Sequence, residues 1–173
     1  MPIVHTETAD SYKLAVWEST ETESDLLQQL GLSAPEQEAL HSVSSATRRK
    51  EVLTVKRLLK EMTGSSEGLQ YDSDGKPSLS GGNTVSITHS RRKVGIILSK
   101  SHPVGIDIEK LRPQIRSLSS KFVSPMELEI WGHQPDDATL HLIWGAKEVL
   151  FKLYSKGGID FRKDLLVEKA IDG

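Results

Sequence analysis

A short repeat sets the strongest limit on how this chain can fold. The tetrapeptide Lys-Glu-Val-Leu occurs at residues 50–53 and again at residues 147–150. Each copy lies in a segment whose apolar residues recur at helical spacing, and glycine follows each segment, at Gly64 and at Gly157. The matching context of the two copies favours duplication over coincidence. The repeat therefore predicts two similar halves, each built around one amphipathic helix.

The patterns of apolar, capping and turn residues predict a mixed α+β chain. Residues 65–82 are rich in Gly, Ser, Asp and Pro and are predicted to form a loop. We place the N-terminal half at residues 1–103 and the C-terminal half at residues 104–173. No pair of strands is predicted after the second copy of the repeat, so an incomplete C-terminal half stays open. Strands are predicted at residues 11–18, 84–88, 94–99 and 104–110, and helices at residues 22–30, after Ser33, and at 45–62, 124–131 and 137–154.

Composition excludes several classes of protein. The 173 residues carry a formal net charge of −2, which predicts no bulk attraction to nucleic acid or to an anionic membrane. Cysteine is absent, which excludes disulfides, thiolate metal sites and a cysteine nucleophile. No apolar stretch approaches the roughly 20 residues that a membrane helix needs, and the N-terminus lacks the pattern of a signal peptide. We therefore expect a cytoplasmic, globular protein.

Three carboxylates in two separate segments give the strongest chemical signal. Asp107 and Glu109 lie two residues apart in the last predicted strand, which places them on one face of it. Glu148 and Lys152 lie four residues apart in the last predicted helix and share one helical face. Carboxylate oxygens suit Mg²⁺, and a lysine one turn beyond an acid is well placed to meet phosphate oxygens. The set indicates metal-assisted chemistry on a phosphate or pyrophosphate.

Other polar features offer candidate groups for binding an anion. Residues 86–90 read Ser-Ile-Thr-His-Ser at the end of a strand, and Lys76 lies in a Gly-Lys-Pro turn. Each of these features, like each acidic pair, is by itself also typical of an ordinary turn or a solvated face. A serine hydrolase is disfavoured because His89 and Ser90 are strand neighbours whose side chains diverge, and no Gly-x-Ser-x-Gly motif is present. The predicted helix over residues 45–62 is strongly basic, with Arg48, Arg49, Lys50, Lys56, Arg57 and Lys60.

Five pieces of the sequence, taken in order, resemble one enzyme family. Their order and spacing, over about residues 40–162, resemble the 4′-phosphopantetheinyl transferases, and in particular the larger, surfactin-type branch in which one chain folds as two similar halves. The resemblance implies an α+β fold whose halves are related by a pseudo-twofold, with the active site in the cleft between them. The five pieces are Gly75-Lys76-Pro77, residues 86–90, residues 104–110, residues 122–127 with Glu127, and residues 144–152 with Trp144, Lys147, Glu148 and Lys152.

The resemblance also implies a reaction and assigns residues to it. The 4′-phosphopantetheine arm of coenzyme A would move to a serine of an acyl or peptidyl carrier protein, with release of adenosine 3′,5′-bisphosphate. Asp107, Glu109 and Glu148 would hold Mg²⁺, with Mn²⁺ as an alternative. Glu148 would also take the serine proton, directly or through a water, while Lys152 would neutralise the pyrophosphate. Coenzyme A would be bound by Lys76, Thr88, His89, Lys147, Arg49 and Arg57; Thr88 stands where the family most often has Ser and keeps the hydroxyl.

The protein partner implied by the resemblance is an acidic, helical carrier. We expect it to bind a monomer, and we expect neither nucleic acid nor a membrane as a partner. Two other hypotheses stay open: a non-catalytic module of the same fold that binds coenzyme A or a carrier, and a Mg²⁺-dependent hydrolase of nucleotide pyrophosphates. The carrier would dock on the segment after Asp107 through Arg112, Arg116, Lys121, Phe122 and Met126, although the last two are equally expected in a core.

Overall fold

The computed structural model describes residues 2–64 and 68–169 and divides into two compact units, Met1–Ile106 and Asp107–Gly173. The division falls a few residues beyond the boundary placed at residue 103. The described part of the chain contains an antiparallel six-stranded sheet and six α-helices, which confirms a mixed α/β protein. The pseudo-twofold is not confirmed, because the described residues of the second unit contain helices and no strand.

The first unit is built on the antiparallel sheet. Its strand order is β1-β2-β6-β5-β4-β3, with β1 and β3 at the edges. The predicted loop over residues 65–82 is corrected by two short strands, β3 and β4, and the first strand of the chain was not predicted. Residues 65–67, within that loop, lie outside the described residues. The strands are β1 Ile3–Thr8, β2 Lys13–Glu18, β3 Leu69–Tyr71, β4 Pro77–Leu79, β5 Thr84–Ser90 and β6 Lys93–Ser99.

Three helices belong to the first unit, and their ends follow the capping residues in the sequence. The side chain of Thr22 accepts a hydrogen bond from the backbone of α1, and that of Ser45 does the same for α3. Gly64 ends α3 in the left-handed conformation that favours glycine. Apolar residues of α3, including Val55, Leu58 and Leu59, pack with residues of β2 and β6 in one buried core. The helices are α1 Glu23–Leu30, α2 Ala34–His41 and α3 Ala46–Thr63.

The second unit is helical in its described residues. Its core contains Phe122, Leu140 and Ile143, with Trp144 and Phe161 packed against them. Of the two residues expected equally in a core or on a docking surface, Phe122 is only 1% exposed and belongs to the core, which corrects its place in the docking set. Met126 is 55% exposed. None of the helices in the described ranges is long and apolar enough to cross a membrane. The elements are α4 Ile115–Leu118, a 3₁₀ turn Ser119–Lys121, α5 Pro125–Trp131 and α6 Asp137–Tyr154.

The strand predicted at residues 104–110 is wrong, because this segment has no regular secondary structure. A strand exists only where its backbone finds a neighbouring strand. The two strands that precede it in the chain, β5 and β6, already pair with a neighbour on both sides. The backbone N–H of Ile106 instead donates to Oγ of Ser86.

Candidate active site

The carboxylate of Asp107 lies against the middle of α6. A Cβ atom placed on Gly145 would lie 3.7 Å from Oδ2 of Asp107, an ordinary van der Waals distance. One face of α6 therefore meets the irregular segment that begins at Asp107. Because Glu148 and Lys152 follow Gly145 at about one and two turns, the helix presents both side chains along the same face.

Lys152 forms an ion pair with Asp107. Its Nζ lies 2.9 Å from Oδ1 of Asp107, and the two side chains are 25% and 9% exposed, respectively. A partly buried pair is screened by solvent and salt less than a surface pair. The contact fixes one carboxylate of the predicted metal-binding set and places a positive charge directly beside it.

The pKa of Glu148 depends on the charges of the other two predicted acids. Burial raises the pKa of Glu148 above its usual value, and repulsion from Asp107 and Glu109 raises it further, while the charge of Lys152 opposes the shift. Glu109 is exposed, and its Oε2 lies 3.4 Å from a guanidinium nitrogen of Arg112. Asp107 and Glu109 are thus near enough to Glu148 to disfavour its charge. We call Asp107, Glu109 and Glu148 the acidic group.

The acidic group fits Mg²⁺ in the chemistry of its donors. It offers only carboxylate oxygens, and a bound cation would relieve the repulsion that Asp107 and Glu109 exert on Glu148. As the side chains lie here, however, no three histidine or carboxylate side chains in the described part of the chain are arranged to hold a metal ion. Positive charges already lie beside two of the acids: the ammonium of Lys152 beside Asp107 and the guanidinium of Arg112 beside Glu109.

Lys147 is a structural residue, which corrects the expectation that it contacts coenzyme A. Its side chain is 0% exposed, and its Nζ lies 2.6 Å from the carbonyl of Phe122, 2.7 Å from that of Phe161 and 2.7 Å from Oε2 of Glu127. An ammonium has three N–H donors, and these three acceptors use all of them. Adjacent residues of a helix point about 100° apart, so Lys147 faces the core while Glu148 does not.

In the first unit, the predicted anion-binding residues lie around the end of β5. His89 is exposed, and its Nε2 lies 2.9 Å from a guanidinium nitrogen of Arg48 and 4.0 Å from Oε2 of Glu51. Thr88 precedes His89 on the opposite face and is buried, at 4% exposure. Lys76 is half-buried in a turn where its backbone N–H donates to Asp72.

Arg48 is the basic residue of α3 that the sequence reasoning missed. Of the arginines in this helix, Arg49 and Arg57 were predicted to bind coenzyme A, whereas Arg48 is the one that contacts His89. Arg49 bonds to Glu23 and to backbone carbonyls before α3. Arg57 pairs with Glu61 and lies over the ring of Trp17. The run of three basic residues at the start of α3 was the available signal, but a run does not say which member faces the sheet.

Comparison with known proteins identifies the family that the second unit resembles. Residues 103–170 match the family model of the 4′-phosphopantetheinyl transferase superfamily. A 4′-phosphopantetheinyl transferase of Bacillus subtilis is 35% identical over 74 residues, which are 41% of this chain and 33% of that protein. The 4′-phosphopantetheinyl transferase HetI of Nostoc sp. is 30% identical over 97 residues, which are 50% of this chain and 41% of that protein.

The resemblance drawn from the sequence motifs is therefore confirmed in the segment that carries the acidic group. The matches span about a third to two-fifths of the length of these curated relatives.

Proposed function

We propose that this chain transfers the 4′-phosphopantetheine arm of coenzyme A to a serine of an acyl or peptidyl carrier protein, with Mg²⁺ and with release of adenosine 3′,5′-bisphosphate. One observation carries the proposal: the segment that matches the superfamily also holds Asp107 and Glu109 near enough to Glu148 to raise, together with burial, the pKa of that carboxyl. A carboxyl with a pKa shifted in this way is typical of functional sites.

In the proposed reaction, the serine oxygen attacks the β-phosphorus of coenzyme A and the bond from that phosphorus to the bridging oxygen of the pyrophosphate breaks. Asp107, Glu109 and Glu148 would hold the metal. When bound, Mg²⁺ would neutralise phosphate charge and orient the pyrophosphate. The raised pKa of Glu148 favours its acting as the base for the serine proton, either directly or through a water.

Lys152 supplies positive charge next to the acidic group. The Lys152 ammonium contacts the carboxylate of Asp107 in this structure. We propose that Lys152 also stabilises the negative charge that develops on the pyrophosphate as its phosphorus–oxygen bond breaks. Because the lysine side chain is long and flexible, one group can serve both partners in turn.

The coenzyme A contacts are proposed at the end of β5 and in the turn before β4. The guanidinium of Arg48 lies 2.9 Å from Nε2 of His89 and pairs with Glu51 at 3.1 Å, and we propose that both basic side chains turn to the 3′-phosphate when coenzyme A binds. Lys76 and the hydroxyl of Thr88 complete the proposed set. Arg49 and Arg57 remain candidates, and each of them, like Arg48, pairs with an acidic residue.

The carrier is proposed to meet the second unit near Arg112, Arg116 and Met126. Each of the two arginines is more than half exposed, at 56% and 58%, and Met126 is also exposed. Basic and apolar groups together suit an acidic partner, and such contact weakens as salt rises.

We further propose a monomer that works in the cytoplasm, in line with the absence of cysteine and the small net charge.

The direct test is the mass of the carrier protein after incubation with coenzyme A, Mg²⁺ and the purified chain. A gain of one phosphopantetheine arm on an apo carrier is expected, and it should disappear in Glu148→Gln. The matched control is Glu129→Gln, an exposed acid on α5 outside the acidic group. If no carrier in a broad panel gains mass while coenzyme A binds, the chain is a binding module and not a transferase.

A second comparison separates transfer from hydrolysis of nucleotide pyrophosphates. Coenzyme A and its 3′-dephospho form differ only in the phosphate that His89 and Arg48 are proposed to bind. The transferase predicts clearly tighter binding of coenzyme A, and loss of that preference in Arg48→Gln. Equal binding of the two compounds would instead support the hydrolase.

A further inference from the structure

A buried histidine of α6 contacts the backbone of the segment that carries two of the three acids. His141 is 7% exposed and lies two turns before Glu148. Its Nδ1 lies 2.7 Å from the carbonyl oxygen of Asp137, one turn earlier in the helix. Its Nε2 lies 3.2 Å from the backbone nitrogen of Arg112.

These two contacts fix the state of the ring. A carbonyl oxygen only accepts hydrogen bonds, so Nδ1 of His141 must carry the proton that is donated to Asp137. The backbone nitrogen of Arg112 only donates, so Nε2 must be the unprotonated acceptor. The geometry therefore requires a neutral imidazole with its hydrogen on Nδ1.

The segment from Asp107 to Arg112 needs such an anchor because it is not part of a sheet. Side chains of α6 hold it at two points: Lys152 bonds to Asp107, and His141 accepts from the backbone of Arg112. Arg112 in turn reaches Glu109 at 3.4 Å. His141 thus fixes the backbone immediately after the acids, whereas Lys152 fixes a side chain.

We propose that His141 is a positioning residue that holds Asp107 and Glu109 beside Glu148, and that it does so only as the neutral Nδ1–H tautomer. If Nε2 carried a proton, it and the backbone N–H of Arg112 would both be donors, so the hydrogen bond between them would be lost and the backbone of Arg112 released. The backbone that carries Asp107 and Glu109 would then be held less firmly, and the acidic group would bind a divalent cation more weakly. The expected effect of His141 on transfer to a carrier rests on the proposed function, whereas its role in holding the segment does not.

Charged groups also belong to the elements that pack near this ring. Arg112 and Glu109 belong to the segment itself, and Arg116 of α4 lies 2.5 Å from Oδ1 of Asp137 at the start of α6. Asp136 precedes that helix as its N-cap. Because these groups stay in place when the imidazole is replaced, a variant at His141 isolates the contribution of the ring.

The test uses the full chain with His141→Gln and His141→Leu. Glutamine can place an acceptor oxygen near the position of Nε2 but does not titrate, and leucine removes the acceptor. Nitrogen NMR of the wild-type ring at pH 8 should show the hydrogen on Nδ1. Exchange of the Arg112 amide hydrogen should be about tenfold faster in the leucine variant and close to the wild-type rate in the glutamine variant.

Titration with Mg²⁺ alone, followed by calorimetry, tests the effect on the acidic group. The leucine variant should bind the ion about tenfold more weakly, and the glutamine variant should bind it as the wild type does.

Three results would overturn the proposal: a hydrogen on Nε2 at pH 8, unchanged Arg112 exchange in the leucine variant, or equal Mg²⁺ affinity in all three proteins. None of these measurements depends on transfer. If the wild type transfers nothing to any carrier but the NMR and Mg²⁺ results are as expected, the proposed function fails and the positioning role stands. If transfer occurs, kcat should fall in the leucine variant and recover in the glutamine variant.

Discussion

Nζ of Lys147 lies 2.7 Å from Oε2 of Glu127, and neither side chain is exposed to solvent. Burial alone would raise the pKa of Glu127, but hydrogen bonds from Lys147 and from the backbone N–H groups of Ser124 and Val167 hold it below its usual value. Glu127 thereby joins the start of α5 to α6 and to the segment that follows α6. The pair organises the second unit around the helix that carries Glu148.

We predict that Lys147→Met strongly destabilises the chain. The substitution leaves the carboxylate of Glu127 charged and unpaired in the core, at a cost of about 3–5 kcal/mol. Urea unfolding at pH 7 measures the change. Adding Glu127→Leu to Lys147→Met should recover part of the loss, because the unpaired charge is then gone.

Lys163→Met is the matched control for that prediction. Lys163 is 78% exposed and pairs with Asp160 at 3.5 Å, so its removal should change the free energy of unfolding by less than about 0.5 kcal/mol. Equal effects of the two methionine substitutions would contradict a structural role for Lys147.

Glu36 should make the free energy of unfolding depend measurably on pH in the acidic range. The ammonium of Lys56, followed by the backbone N–H and hydroxyl of Ser33, lowers the pKa of Glu36 from 4.5 to about 2. A carboxyl whose pKa is lowered by folding stabilises the fold fully above the unfolded value, and that contribution is lost as the pH falls from 4.5 toward 2.

The variant Glu36→Gln should therefore unfold more easily at pH 7 and depend less on pH between 5 and 2. Because the Glu36 side chain is 43% exposed, we expect a cost of only about 0.5–1 kcal/mol. Chemical unfolding at a series of pH values measures it, and Glu38→Gln, at an exposed position of the same helix, is the control. Parallel pH curves for wild type and Glu36→Gln would refute the assignment.

The first unit's helices could be predicted almost to the residue, because their end signals are local. Thr22, Ser33 and Ser45 precede α1, α2 and α3, and Gly64 follows α3, as the sequence predicts. The strand at residues 104–110 could not be predicted correctly, because alternation of side chains does not reveal whether a neighbouring strand is free. The three-residue strands β3 and β4 form through pairing with neighbours, β3 with β4 and β4 also with β5, and they are too short to carry a periodic signal of their own.

In the candidate site, too, the local relationships could be predicted from the sequence and the contacts between distant segments could not. Helical spacing correctly placed Glu148 and Lys152 together, since i and i+4 share a face. It could not show that Lys147, next to Glu148 in sequence, would be buried against Glu127. Contacts between distant segments, such as Arg48 with His89, depend on how α3 packs on the sheet, which one sequence does not reveal.

The hairpin between β5 and β6 should become more stable when Arg91 is replaced by glycine. Arg91 has a φ of 54°, in the left-handed region where a side chain costs about 1–2 kcal/mol relative to glycine. Arg91→Gly should therefore raise the free energy of unfolding by about 1 kcal/mol, measured by urea titration. The matched control is Arg92→Gly, at the next position, which does not have a positive φ. It should lower stability by about 0.5–1 kcal/mol, and the opposite order of the two variants would contradict the turn geometry.

We predict that the carboxylate of Glu148, which the proposed reaction requires, lowers the free energy of unfolding of the chain. Its pKa is raised by burial and by repulsion from Asp107 and Glu109, so above its usual value the charged form opposes folding. Glu148→Gln should then raise Tm at pH 8 by about 2–4 °C, which corresponds to about 1 kcal/mol.

The same substitution should reduce transfer to a carrier protein by at least about 100-fold, because the proposed base is gone. Acidification should narrow the difference in Tm between wild type and Glu148→Gln, since protonation removes the same charge. Mg²⁺ should raise the Tm of the wild type and have little effect on the variant. Thermal unfolding at pH 8 and pH 5, with and without Mg²⁺, makes these comparisons, with Glu129→Gln as the control. A variant that is less stable than the wild type at pH 8 would show that the Glu148 carboxylate is held by favourable contacts and is not kept at the expense of stability.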